Sequence, residues 1–326
     1  MRGMTTGSDQ GDTETLSPDD AFAALGNETR LQILRTLGAA DDPLSFSELR
    51  DRIGMRDSGQ FNYHLDTVTG HFVSKSENGY ELRQAGRRVV EAVLSGAVTE
   101  APMMEPTTID EPCPICGGST VVAFYEDQVE HYCTECEGHY DPETAMSSYA
   151  DDNTAADAEY GYLGSVQLPP AGFQGRSPAE LYRAGSTWLT LELLAMASGV
   201  CPRCSASLST SVSVCEVHDY AAEYCDECSN RHAFQVSFRC SNCFYSRGGA
   251  AGLVLVTDVH LLTFLLEHGI NPLSSTGSTA FTAAFLGYDE ELLSLEPLRA
   301  RFTFDVDEDE LSMTVDGELN VVDVSR

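Results

Sequence analysis

Residues 201–243 read CPRCSASLSTSVSVCEVHDYAAEYCDECSNRHAFQVSFRCSNC, and the spacing of their cysteines decides how the C-terminal part of the chain folds. Cys201/Cys204, Cys225/Cys228 and Cys240/Cys243 are three Cys-x-x-Cys pairs, giving six thiols. Six ligands do not divide into the four-coordinate sites that structural zinc forms with thiolate and imidazole. Cys215, however, is followed by His218 at the same spacing, and eight ligands make two sites. Strand length then indicates which pairs meet. Ten residues separate Cys204 from Cys215 and eleven separate Cys228 from Cys240, and both stretches read largely as strand. At ~3.3 Å per residue each spans about 30 Å, whereas the ligands of one zinc sit about 2.3 Å from it. The pairs flanking a strand therefore lie at its opposite ends. Only six residues join His218 to Cys225, so those two pairs share the far end. The expected sites are nested: Cys201, Cys204, Cys240 and Cys243 on one zinc, and Cys215, His218, Cys225 and Cys228 on the other.

Upstream, CPIC at 113–116 and CTEC at 133–136 are separated by sixteen residues. Val121 to Tyr125 and Val129 to Tyr132 can pair as a hairpin around Asp127, bringing Cys113, Cys116, Cys133 and Cys136 to one end as a zinc ribbon. Disulfides or a redox Cys-x-x-Cys are the alternatives, and evenly paired cysteines favour metal. The chain is thus expected to hold three zinc ions, or two if Cys215 is a buried thiol and His218 a solvated side chain. His131, His139, His232 and His260 lack partners at ligand spacing and read as structural or exposed.

Between and beyond these groups the pattern is ordinary. Ser177, Pro178 and Glu180 open a helix through a capping box; Leu181, Trp188, Leu191 and Leu194 recur near helical spacing as its core stripe, and Gly199 ends it. A further helix is expected at about Asp258 to Glu267, stopped by Gly269. RFTFDV (301–306), LSMTVD (311–316) and LNVVDV (319–324) alternate as a strand meander.

The chain has 326 residues, 51 Asp+Glu against 19 Lys+Arg, and a formal net charge of −32. Lys75 is its one lysine. Dispersed carboxylates with almost no lysine resemble the proteins of extreme halophiles, whose molar salt shortens the Debye length to about 3 Å. A binder of basic partners would instead carry its acids in blocks. No segment reaches the ~18–20 uninterrupted apolar residues of a spanning helix, and the N-terminus has no signal-peptide core. A cytoplasmic protein with no membrane association is expected, and its eleven cysteines then argue for metal over disulfides.

Residues 17–95 hold nine of the basic residues against twelve acids, a net of −3, while the remainder carries −29. Relative to that background, this is the region expected to approach a phosphate backbone. Ala21 to Leu37 and Phe46 to Ile53 read as amphipathic helices, Gly59 to Thr69 as a third with Phe61, Leu65 and Val68 inward, and HFVSKSENGYELRQ (71–84) as a hairpin about Asn78-Gly79. That order is a winged helix-turn-helix. LGNETRLQILRTL (25–37) resembles the opening helix of ArsR-type regulators, and FNYHLDTVTGHFV (61–73) resembles their recognition helix and first wing strand. The resemblance covers about 80 residues. It implies DNA-facing positions for Asn62 and Tyr63, with His64 and Leu65 packed behind. FSELRDRI (46–53) has no cysteine, so no sensor metal is assigned there. The C-terminal part resembles zinc-ribbon extensions fused to such domains in halophilic archaea.

Ser58, Gln60, Asn62, Tyr63 and Thr67 form the polar face of the third helix, where Gln and Asn can bond adenine bidentately. Lys75, Arg83, Arg87 and Arg88 are candidate phosphate contacts, although Arg87 and Arg88 could equally be a solvated helix face. The expected architecture is α+β: a tail at 1–16, a winged helix-turn-helix at 17–97, a linker at 98–111, a zinc ribbon at 112–140, an acidic linker at 141–176, a helix with a double-zinc hairpin at 177–247, and an α+β region at 248–326. No P-loop, H-E-x-x-H, deaminase or G-x-S-x-G motif occurs. A non-enzymatic DNA-binding regulator, acting as a homodimer on double-stranded DNA with an unknown effector, is the leading reading. A zinc-ribbon adaptor for a transcription or RNA-processing machine is the alternative.

Overall fold

The computed structural model describes residues 16–140, 160–222, 224–272, 282–284 and 287–326. The tail expected at 1–16 lies almost wholly outside them, as do residues 141–159 of the expected acidic linker. The fold is α+β, in two compact units, Met1–Glu100 and Ala101–Arg326.

The first unit runs α1 (Pro18–Leu25), α2 (Glu28–Gly38), α3 (Phe46–Ile53), α4 (Ser58–Val68), a hairpin of β1 (Val73–Ser76) and β2 (Gly79–Leu82), and α5 (Gln84–Leu94). The stretch read as one helix from Ala21 to Leu37 is two. The Asn27 side chain accepts hydrogen bonds from the amides of Thr29 and Arg30, and this cap starts a new helix rather than continuing the old one. A Ser45/Glu48 capping box opens α3, and the Asp57 side chain caps α4. Phe61, Leu65 and Val68 of α4 are fully buried with Ile33, Leu34 and Leu49. The hairpin turn also differs from expectation. Ser76 pairs with Gly79, so Glu77 and Asn78 make the turn and not Asn78-Gly79. Gly79 (φ 129°) serves a close approach instead: a Cβ there would lie 2.5 Å from the Leu44 carbonyl oxygen, where Leu44 and Tyr80 exchange backbone hydrogen bonds of 2.8 and 3.0 Å.

The second unit begins with an antiparallel sheet ordered β3 (Met104–Ile109), β4 (Thr120–Tyr125), β5 (Gln128–Cys133), β6 (Gly161–Gln167). The β4–β5 turn, Glu126-Asp127, takes φ of 47° and 61°, the left-handed pair a tight hairpin favours. Two segments read as linkers are therefore edge strands. Pro106 in β3 falls between Met104 and Thr107, where the register slips, the edge position at which a strand tolerates proline. β6 lies within the expected acidic linker, with Leu163 and Val166 buried. Gly161 lets it reach the cysteine loop, since a Cβ there would fall on the Cys136 carbonyl.

Helix α6 (Pro178–Ala197) starts with the expected capping box. Its stripe is not the expected one: Leu181 is buried, but Trp188 and Leu191 are exposed, while Tyr182, Leu193 and Met196 are buried. The cause is that α6 packs on two surfaces. Its N-terminal half meets Phe124, Val129 and Val166, and its C-terminal half joins a larger core. That core unites β8 of a three-stranded sheet, β7 (Leu208–Val214), β8 (Phe234–Cys240) and β9 (Ser246–Ala250), with α7 (Val259–Glu267) and a meander. Asp258 caps α7, and Gly269 (φ 74°) follows it. The meander is β10 (Asp289–Leu295), β11 (Leu298–Val306), β12 (Asp309–Asp316) and β13 (Val321–Ser325); β10 was not foreseen from the sequence. Among the described residues no helix is long and apolar enough to cross a membrane.

Candidate metal centres

Three pairs of Cys-x-x-Cys loops, one of them Cys-x-x-His, meet in the second unit. The groups are Cys113, Cys116, Cys133, Cys136; Cys201, Cys204, Cys240, Cys243; and Cys215, His218, Cys225, Cys228, with the ligand atoms of each group within 4.8 Å of one another. The nested pairing expected from strand length is the one the fold adopts. β7 pairs with β8 from Leu208↔Cys240 to Val214↔Phe234, which places the second group at one end of the ladder and the third beyond the other.

The separations carry chemical information. Sulfurs lie 3.8 Å (Cys113–Cys136), 3.6 Å (Cys116–Cys133), 3.7 Å (Cys201–Cys243) and 3.5 Å (Cys204–Cys240) apart. A disulfide requires ~2.05 Å, whereas a tetrahedron with bonds of about 2.3 Å has edges of about 3.8 Å. The separations match the edges of a four-coordinate metal site and not a disulfide.

Three of the six loops are wound the same way. The residue after the second cysteine is left-handed (Gly117, φ 74°; Ser205, φ 62°; Ser229, φ 52°), and its amide returns to the first cysteine's carbonyl at 2.8–2.9 Å. Backbone amides in the loops point at sulfur, as from Asn242 and Cys243 to Cys240 at 3.3 and 3.4 Å. Backbone N–H groups, those of Cys243 and Asn242 foremost, pull the Cys240 thiol down to about 6, and those of Asp219 and Cys228 pull Cys225 down to about 7. The thiolate is the form that binds metal. Glycine or serine after the second cysteine was a readable sign of this turn.

In the third group, His218 Nε2 stands 3.3 Å from the Arg231 carbonyl and Nδ1 3.4 Å from Cys228 Sγ. A carbonyl only accepts, so Nε2 carries the proton and Nδ1 offers its lone pair to the thiols. Asn242 Nδ2 similarly supports Cys204 Sγ at 3.7 Å. Four protein ligands per group suit a closed tetrahedral ion, zinc or iron by donor type.

The remaining histidines divide. His260 is exposed and bonds Asp258, while His131, His139 and His232 are buried. His232 stacks on Tyr288 at 4.2 Å and faces Glu290, 4.0 Å away. Burial pushes the Glu290 carboxyl up to about 7, against the amides of Ala233 and Phe234 that bond it. Because folded Glu290 keeps its proton to about 7 and the unfolded chain loses it near 4.5, stability is lost as pH rises through that window, by up to about 3 kcal/mol. Glu290→Gln should therefore gain stability relative to the native protein between about pH 5 and pH 8. Parallel melting curves at both pH values would rule out this carboxylate as the cause.

The DNA-facing candidates all lie in the first unit. Ser58, Gln60, Asn62 and Tyr63 are exposed on α4, with Thr67 half-buried and its hydroxyl donating to the Tyr63 carbonyl. Asn62 Nδ2 donates to Asp66 Oδ2 at 2.6 Å. Lys75 sits over the Tyr80 ring, and Arg83, Arg87 and Arg88 are exposed before and along α5. His64 and Leu65 are buried behind them.

A family model described as a domain of unknown function (DUF7347) matches residues 18–93, and a second such model (DUF7351) matches residues 110–321. No curated protein and no solved structure matches the chain. The second match spans well over half of the chain and contains all twelve metal-ligand candidates, and on it the protein belongs to the DUF7351 family.

Proposed function

We propose that the protein is a sequence-specific DNA-binding transcriptional regulator, with a winged helix-turn-helix in its first unit and three structural zinc ions in its second. The observation that carries the DNA reading is the division of α4. Phe61, Leu65 and Val68 are buried, and Ser58, Gln60, Asn62 and Tyr63 are exposed, in a region, 17–95, where nine basic residues stand against twelve acids. The β1–β2 hairpin is the wing, with Lys75 on it for phosphate. Asp66 takes one amide hydrogen of Asn62, leaving the other hydrogen and the carbonyl for adenine N7 and N6. Exposed Phe22 and Leu94 support a homodimer, the state in which such domains read two half-sites. Zinc is favoured over iron by the ribbon-like loops and the Cys3His set. Saturated sites without an open position give no catalytic metal, so the reading is non-enzymatic.

Selection of DNA fragments by the full-length protein at molar KCl, including fragments from upstream of its own reading frame, tests this. Asn62→Ala should cost about 1–3 kcal/mol at one operator position and relax preference there. Arg88→Ala should weaken all sequences about equally. Identical behaviour of the two variants would sink the assignment of α4 to the major groove, and no enrichment at all would favour the adaptor.

A further inference from the structure

Within the second unit, β5, β6 and α6 on one side and β8 and β9 on the other line a half-open cavity of about 660 Å³. Pockets of about 300–1,000 Å³ hold small organic ligands. Much of the wall is apolar, including Val129, Val166, Leu189, Leu193, Val236 and Phe238.

Two polar groups in the wall point to an occupant. His131 is 7 % exposed, and its Nε2 has no hydrogen-bond partner. That buried, orphaned nitrogen in the cavity wall is placed to hydrogen-bond a ligand. Arg247 is the one charged side chain among the described residues lining the cavity, in a protein of net charge −32. Its guanidinium donates to the Ser165 carbonyl at 2.8 Å. Among the described residues Arg247 is paired with one carboxylate, buried Glu192, 4.0 Å from it and already engaged by Arg203 at 3.0 Å. Arg247 thus brings positive charge to an apolar chamber whose described wall contains no acid.

We infer that the cavity binds a small amphipathic anion, with an apolar or aromatic body between α6 and β8, a carboxylate-type group on Arg247, and a hydrogen bond to His131 Nε2. The inference does not depend on the DNA-binding reading.

The test uses metal-loaded, full-length protein at about 2 M KCl, where surface charge is screened but a buried pair much less so. The probes are anilinonaphthalene sulfonate and its uncharged analogue N-phenylnaphthylamine. One saturable site per chain is expected, binding the anion roughly tenfold more tightly. Arg247→Met should abolish that preference and leave the neutral probe unchanged. Ser186→Trp, which fills the cavity from α6, should remove both. Should Ser186→Trp lose its metal, competition with the native protein decides instead: decanoate should displace the dye and decanol should do so about tenfold less well. Non-saturable binding, equal affinity for the two probes, or a preference that survives Arg247→Met would overturn the inference.

Discussion

Chelation of its metal should unfold the second unit of this protein, not merely loosen it, and leave the first unit folded. The β7–β8–β9 sheet shows why. Ser209, Thr210 and Ser211 of β7 are exposed, and β9 is Ser246, Arg247 and two glycines before Ala250. Little apolar surface holds those edges in place. Structural zinc contributes about 10–16 kcal/mol per site in zinc-finger peptides near neutral pH, against a net domain stability of about 5–15 kcal/mol. Even one site is therefore comparable to the whole. Elemental analysis of protein purified at high salt should give three zinc ions per chain. Cys215→Ala should give two, and a chelator should abolish the tertiary signal of residues 101–326. The first unit has no cysteine, so its helical signal is an internal control. Two zinc ions in the native protein would remove the Cys215/His218 site, and a native melting curve after chelation would show that the metal does not hold the fold.

The second large effect is in salt. A binder that neutralises Z phosphates loses affinity with a slope of about −0.9Z in log salt. Four contacts, Lys75, Arg83, Arg87 and Arg88, would cost a fragment of residues 17–96 nearly four orders of magnitude over a tenfold rise in KCl, at −0.9 per contact. The remaining chain carries −29 and repels DNA, a repulsion that the same salt screens. In the full-length protein the two effects oppose one another. Its affinity should change little, or rise, between about 0.5 and 2 M KCl as the Debye length shrinks toward ~3 Å. Titrating both proteins on one operator decides the matter. Equal, steep slopes would mean that the acidic body does not govern DNA binding.

What could be read from the sequence was what depends on short range. A Cys-x-x-Cys pair fixes its own loop, and a strand of ten or eleven residues fixes which end each pair occupies, so all three ligand groups followed from spacing. The capping boxes at Ser45 and Ser177 are equally local. What escaped depends on distant partners. β3 and β6 carry weak patterns of their own and become strands because β4 and β5 offer edges. α6 hid its true face because its two halves bury different sides. The spacing left His131 as either structural or exposed, and the alternation of Val129, His131 and Cys133 onto one buried face is the sign that the ring points inward. The Arg247 side of the cavity is on another sheet, and no local rule would have joined the two.

The ladder between the two nested centres has a consequence for how the hairpin finds its alignment. An ordinary antiparallel pair slips most cheaply by two residues, because each side chain then keeps its face. A serine-rich strand such as β7 offers little side-chain packing to forbid that error. Here a slip of two would carry a ligand pair about 6.6 Å along the strand, well beyond a bond of about 2.3 Å. Because one metal group sits at each end, only a single alignment satisfies both at once. With an ion in each group, the pair would act as a two-ended gauge that measures β7 against β8, and the residues between them could vary in composition while the length between the ligands stays fixed.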